Sequence, residues 1–349
     1  MSHKGKSHTE RGLSEVQKEQ RQANDHQLKI YFQKYDRFWR LHKLISLRHL
    51  LLNRDEVGAS IRLAYEGNGA VDEQYVYGNL TNGILADATS ELAMLCEDYF
   101  GLLRFTREPF FFVKKTISYS AGRITTLPKS LSDPTDESLH KLFFIPTSDI
   151  TTAIFANADL ATANASVEML REQIGFLQRS HRIAVDFYQK HKDFHVQYKH
   201  GLKLALYGLH GSIPPEEVER RKKELSAPLF SFENKPVDQL GSGSAMFIPD
   251  IRFAPVRNNI GRLHKDLDLL HIQFLYDIDI NELIAIAKRI VKLNNILISN
   301  RMSLIENEHR DRLRFLILES DSDVLQSHAY EFDIPPGYQK PTIFNYQIE

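Results

Sequence analysis

The residues best suited to chemistry in this sequence are its 15 histidines. Three of them, His181, His191 and His195, recur at helical spacing along one apolar seam. An imidazole can transfer a proton or bind a metal ion. His191 and His195 are four residues apart, so they share a helix face and are candidate metal ligands. Because the seam offers no carboxylate or thiol as a third ligand, we favour buried histidines hydrogen-bonded to tyrosines or carbonyls.

Two further histidines fall on the stripe of the first predicted helix, which spans about Leu13 to Asn53. Apolar residues recur there at steps of three, four or their multiples, and His42 and His49 follow Tyr35 at steps of seven. Two predicted helices therefore both place imidazoles where leucine would be expected.

The segment from His195 to Gly201, HVQYKHG, resembles the motif of the HEPN family. In that motif an Arg is followed after four to six residues by a His, and often by Gly; His195 stands here at the Arg position. The resemblance covers about residues 82–210 and implies a compact helical bundle. It also implies a link to metal-independent ribonucleases that work as dimers, many of them in bacterial toxin–antitoxin and anti-phage systems.

In a ribonuclease of this type, His200 or His264 would be the general acid or base. Arg257 lies seven residues before His264 at a predicted helix start, so the two return to nearly one face and could hold a phosphate. The catalytic candidates are therefore His195, His200, Arg257 and His264. Because an imidazole is only partly charged near neutral pH, His195 is a poorer phosphate clamp than arginine, and a protein without enzymatic activity is favoured.

Charge and motifs exclude several classes of function. With 44 basic and 45 acidic side chains the formal charge is −1, so no global field attracts nucleic acid or anionic membranes. The local basic run Arg220, Arg221, Lys222 and Lys223 is a candidate contact for RNA phosphates, although such a run is usually a solvated helix face. No phosphate-binding loop, dinucleotide fingerprint, nucleophile elbow or zinc-protease motif occurs, and no cofactor is expected.

A single cysteine and the absence of a long apolar stretch predict a cytoplasmic protein without internal disulfides or a membrane span. Spacing and end signals predict the secondary structure. We expect a hairpin or ordered loop within 58–80, helices at about 82–107, 110–124, 133–146, 146–210 (in one or two pieces), 256–276 and 279–308, and short strands at 229–233, 245–248, 315–318, 329–334 and 343–348.

The predicted fold is mainly α: a multi-helix bundle with long antiparallel helices and minor short strands or hairpins. We divide the chain into a flexible tail (1–12), a partly HEPN-like helical region (13–210), a connecting segment with short strands (211–250), and a helix pair with a strand-like tail (251–349) packed on the first region.

The favoured function is a non-enzymatic helical scaffold or regulatory protein of bacterial type, part of a defence or toxin–antitoxin module. Its partner would be another protein or a second copy of the chain, with RNA as a further possibility. One alternative is a HEPN-type metal-independent ribonuclease. The other is a metal-dependent hydrolase that uses the seam histidines.

Overall fold

The computed structural model describes residues 14–64, 73–106, 112–118, 131–145, 160–199 and 278–306, together with the strands given below. Within these residues the protein is mainly α, as its sequence predicts. The helices are α1 (Glu15–Lys34), α2 (Trp39–Leu52), α3 (Arg54–Ala64), α4 (Glu73–Phe105), α5 (Phe112–Ser118), α6 (Asp136–Leu142), α7 (Leu160–Lys199) and α8 (Ile280–Glu306).

Short strands complete the described structure: β1 (Ala205–Gly208), β2 (Phe230–Phe232), β3 (Ser244–Phe247), β4 (Leu270–Leu275), β5 (Arg312–Ile317) and β6 (His328–Asp333). The first four form a sheet in the order β1-β3-β4-β2, in which only β2 and β4 are parallel. β5 and β6 form an antiparallel pair.

The chain divides into two compact units. Unit 1 comprises residues 1–41, 94–189 and 285–349, and unit 2 comprises residues 42–93 and 190–284. The sheet of β1 to β4 belongs to unit 2, and the β5–β6 pair belongs to unit 1. No helix in the described ranges is long and apolar enough to cross a lipid bilayer.

Helix α4 is buried on almost all sides. From Ala88 to Thr106, only Met94, Glu97, Asp98 and Arg104 lack full burial. A helix with apolar residues around its whole circumference lies in a core rather than on a surface. In each unit, α7 runs antiparallel to α4. Residues that come later in α4 contact residues that come earlier in α7. Long antiparallel helices are thus confirmed.

In unit 1 a buried arginine joins helices that are distant in sequence. Arg301 of α8 donates one hydrogen bond to Asp25 of α1 and one to the carbonyl of Thr106 at the end of α4, both at 3.0 Å. The neighbouring Asn300 donates to the carbonyl of Phe143 at 2.9 Å. Since a buried charge is costly unless it is paired, these contacts hold α1 and α8 in one arrangement.

The single long helix expected over 13–53 is wrong. The chain leaves the helical conformation after Lys34 and resumes it at Trp39. The carboxylate of Asp36 accepts a hydrogen bond from the backbone N–H of Phe38 at 2.9 Å, which offers the backbone an alternative to helix. The buried side chains of α2 therefore lie on a different face from the one that a continuous helix would have buried.

Three other expectations for secondary structure are wrong. The region 58–80, where we expected a hairpin or ordered loop, contains the end of helix α3 and the start of α4. Residues 205–208 and 270–275, expected to be helical, are strands β1 and β4. The helix expected from about residue 133 begins at Asp136, because the hydroxyl of Thr135 caps α6 by accepting from the N–H of Ser138, while Asp133 pairs with Arg182. The expected strand at 343–348 lies outside the described residues.

The start of α8 agrees with the sequence. Asp279 directly precedes the helix, and its carboxylate accepts a hydrogen bond from the N–H of Asn281 at 2.8 Å. Such a bond satisfies one of the free donors of a helix start. The predicted start of a helix at residue 279 is confirmed.

Candidate functional site

The three seam histidines are all buried on α7, as their spacing predicts, and His181 and His195 contact α4. His181 is completely buried in unit 1. Its Nε2 lies 2.7 Å from the carbonyl of Leu131, and its Nδ1 lies 2.7 Å from the hydroxyl of Tyr99. Because a carbonyl can only accept, Nε2 carries the proton and Nδ1 accepts from Tyr99. Burial lowers the pKa of His181, so the neutral imidazole is favoured.

His195, the position of the missing arginine in the HEPN-like motif, is completely buried in unit 2. Its Nδ1 lies 2.8 Å from the hydroxyl of Ser90 on α4. A serine–histidine pair is the core of many acyl-transfer sites, but such chemistry needs a reacting carbonyl within about 3 Å of the hydroxyl. Ser90 is itself buried, so the pair connects two helices instead of facing a substrate cleft.

A polar row extends from this pair toward the surface of unit 2. The buried carboxylate of Glu91 is paired with Lys43 of α2, and the hydroxyl of Tyr198 donates to the exposed Asp87. Burial, followed by the bond to Asp87, raises the pKa of the Tyr198 phenol. The row consists of donors matched with acceptors, which is the arrangement that makes polar groups tolerable at a helix interface.

His191 is also buried on α7. Burial, with a smaller effect of Lys190, lowers the pKa of His191 to about 4, so it is neutral at physiological pH. A neutral imidazole can bind a metal ion, but a structural or catalytic site needs about three protein ligands. The described part of the chain contains no group of three or more His, Cys, Asp or Glu residues placed to hold a metal ion.

The remaining predicted site residues lie outside the described residues. These are His200, Arg257, His264 and the basic run Arg220, Arg221, Lys222 and Lys223. Their proposed roles in catalysis and RNA contact therefore stay predictions.

Sequence reasoning missed the partners of the seam histidines, Tyr99 and Ser90. Neither residue carries a sequence signal, because its hydroxyl becomes the partner of a histidine only when α7 packs against α4.

The prediction that His42 and His49 occupy positions of buried leucines is wrong, since both are exposed. The break after Lys34 rotates α2 so that Leu41, Leu44 and Leu47 face the core instead.

The same rotation leaves an unusual surface, which we call the outward face of α2. It consists of the exposed residues of that helix: Trp39, His42, Ile45, Ser46, His49, Leu50 and Leu52. None is Asp, Glu, Lys or Arg. On α7, by contrast, eight of the nine exposed residues with described side chains are charged. The outward face is therefore depleted of charge even though it is in contact with water.

The cations of α2 lie beside this face, and their polar contacts are with α4 and with the start of α8. Arg40 pairs with Asp98 at 2.5 Å, and Lys43 pairs with Glu91. The third, Arg48, donates to Asn281 at 3.5 Å. All three cations of α2 are thus engaged in polar contacts within the protein. The side chains that face outward are apolar or carry no fixed charge.

Comparisons of the chain with protein-family models, with curated proteins and with solved structures gave no significant match.

Proposed function

We propose that this protein acts through protein contacts, as a helical scaffold or regulatory component, and that the outward face of α2 is its contact surface. The observation that carries the proposal is the absence of fixed charge from all seven exposed residues of the helix, among which Leu52 is 75% exposed and Leu50 41%. Interface cores are depleted of charged residues in the same way, whereas ordinary surfaces are not.

Binding at such a face is physically favourable for two reasons. Burying exposed leucine and isoleucine side chains yields about 25 cal/mol per Å² of apolar surface. Covering Ser46 requires no desolvation of a charged side chain, which would cost several kcal/mol. The hydroxyl of Ser46 already donates to the carbonyl of His42 at 2.9 Å, so its donor stays satisfied on burial.

The described histidines support an interaction role over catalysis. Both His191 and His195 are buried, and His195 bonds to Ser90 of the neighbouring helix α4. The resemblance of the segment from His195 to Gly201 to the HEPN motif favours a role in a bacterial defence or toxin–antitoxin module, and we propose a cytoplasmic location. There an inactive or regulatory helical domain would act by binding.

Site-specific photo-crosslinking tests the contact surface. A photoreactive amino acid at position 50 is expected to give defined protein adducts in cells. The matched control is position 30 on α1, where Ile30 is 47% exposed and similarly apolar. If positions 50 and 52 give no adducts beyond those of position 30, the outward face is not a contact surface and the proposal fails.

Incubation of the purified protein with RNA separates this function from the ribonuclease alternative. We expect intact RNA with and without a chelator. Metal-independent cleavage that is lost in His200→Ala or His264→Ala would overturn the non-enzymatic proposal. Cleavage that a chelator abolishes would instead support the metal-dependent hydrolase.

A further inference from the structure

We infer that Lys43 is a site of acylation and that its modification releases α2 from α4 in unit 2. The observation behind this Lys43 switch is an ion pair with unequal burial. The side chain of Lys43 is 42% exposed, whereas that of its partner Glu91 is 4% exposed. The amine can therefore react with a reagent in the solvent, while the carboxylate that it neutralises lies in the core.

Other lysine pairs on the described helices differ in the burial of the acid. In unit 1 the side chain of Lys29 is also 42% exposed, but that of its partner Glu306 is 48% exposed. The pair of Lys141 and Glu137 has an acid that is 71% exposed. Neutralising Lys29 or Lys141 leaves a carboxylate that water can solvate, and exposed ion pairs contribute little to stability.

Loss of the charge on Lys43 acts on the contact between α2 and α4. Glu91 would keep its negative charge in the core, and a buried charge that has lost its partner is strongly destabilising. Asp87 lies one helix turn before Glu91 on the same side of α4, so a second carboxylate repels the first. Movement of α2 away from α4 lets water reach Glu91, and this relief favours the released state.

Acyl transfer is the modification that fits this position. It converts an ammonium group into a neutral amide and so removes a salt-bridge donor. Lys43 is the lysine of α2, whose other two cations are Arg40 and Arg48. A guanidinium stays protonated under ordinary conditions and is a poor nucleophile. Acylation of α2 is therefore directed to the cation that neutralises Glu91.

An acyl phosphate is a suitable donor of the acyl group. The ammonium of Lys43 first loses a proton to water, and the neutral amine attacks the acyl carbon. A C–N bond forms, the C–O bond to phosphate breaks, and the second amine proton leaves with the phosphate. The amide product cannot pair again with Glu91, so acylation traps the released state.

Hydrogen exchange of the full-length protein, read by mass spectrometry, tests the Lys43 switch. Lys43→Gln is neutral like the acylated lysine, and we expect the amides from Ile45 to Leu52 to exchange at least about tenfold faster than in the wild type. Lys43→Arg keeps the charge and is expected to exchange like the wild type. Lys29→Gln neutralises a lysine of equal exposure and is the matched control, with unchanged exchange in α2.

A double variant separates the effect of charge from that of packing. Lys43→Gln combined with Glu91→Gln is expected to restore slow exchange in α2, because the carboxylate that lost its cation is gone. Fast exchange that persists in the double variant would assign the effect to the packing of the lysine stem and would overturn the inference. Unchanged exchange in Lys43→Gln alone would overturn it as well.

Treatment of the full-length protein with acetyl phosphate tests the modification itself. Peptide mapping is expected to find an acetyl group on Lys43, and the treated wild type is expected to show the fast exchange of Lys43→Gln. Treated Lys43→Arg, whose other lysines still react, is expected to keep slow exchange in α2. If Lys43 stays unmodified while Lys29 is acetylated, Lys43 is not an acylation site and the inference fails.

The Lys43 switch would also regulate the outward face of α2, and this consequence rests on the proposed function. Hydrogen exchange needs no binding partner, so it reports on the switch even if the outward face binds nothing. If position 50 gives no crosslinks while exchange responds to Lys43→Gln, the proposed function falls and the switch stands. Crosslinks from position 50 together with unchanged exchange in Lys43→Gln would overturn the switch alone.

Discussion

At the scale of single residues, His181 and His191 of α7 are buried imidazoles whose protonation opposes folding. Burial lowers the pKa of His191 from 6.5 to about 4, and it lowers that of His181 as well. Between about pH 6.5 and pH 4 the unfolded chain binds more protons than the folded chain, so stability rises with pH across this window. Acidification through the same window therefore destabilises the protein.

The His191→Leu variant is expected to reduce this dependence. Since one pKa unit corresponds to about 1.4 kcal/mol, the shift of His191 accounts for about 3 kcal/mol of the stability lost on going from pH 7 to pH 4. The measurement is the free energy of unfolding in urea at a series of pH values. His26→Gln, at an exposed position, serves as control and is expected to leave the slope unchanged. An unaltered slope in His191→Leu would contradict the assignment.

At the scale of elements, the pair of Asp25 and Arg301 decides how α1 and α8 are joined in unit 1. Both residues are largely buried, and Arg301 also donates to the carbonyl of Thr106 and lies 5.9 Å from the ring centre of Phe144. A buried ion pair adds little over an apolar pair of similar volume, but removal of one partner leaves a charge in the core.

We expect Asp25→Asn to lower the free energy of unfolding by about 3–5 kcal/mol. The double variant Asp25→Leu with Arg301→Met is expected to recover most of that loss, because no buried charge remains. Urea unfolding of the single and double variants measures both effects. A loss below about 1 kcal/mol in Asp25→Asn would show that water reaches the pair, as at surface salt bridges.

At the scale of the whole molecule, the numbers of basic and acidic side chains are nearly equal. Protonation of histidines therefore decides the sign of the net charge. The formal charge is −1 at pH 7 with the 15 histidines neutral. Because histidine side chains ordinarily gain a proton between pH 8 and pH 5, acidification adds positive charge to a molecule that starts near zero. A positive molecule attracts polyanions without regard to sequence.

The full-length protein is therefore expected to bind heparin or RNA near pH 5.5 and to lose that binding in moderate salt. At pH 8 it is expected to flow through a heparin column at low salt. Column retention at the two pH values is the measurement. Salt-resistant retention at pH 8 would contradict the whole-molecule account and would indicate a local basic site such as the run from Arg220 to Lys223.

The sequence by itself determined features that depend on neighbours along the chain. The spacing of Leu170, Ile174, Leu177 and the seam histidines was sufficient to identify the buried face of α7, because one helix period relates all of them. The cap of α8 was predictable for the same reason, since Asp279 bonds to a backbone group only two residues away. A mainly α fold follows from such local patterns.

Only the tertiary structure decided which residues meet across helices and which face of α2 points outward. Tyr99 and Ser90 acquire their roles from α7, which is distant in the chain. A single helix over 13–53 would continue the stripe of Tyr35 through His42 and His49, but both histidines are exposed. A helical phase is preserved only while the hydrogen-bond ladder is unbroken, and the turn at Asp36 resets it. Because Leu41, Leu44 and Leu47 of α2 pack in the core, the stripe that a continuous helix would have buried is exposed.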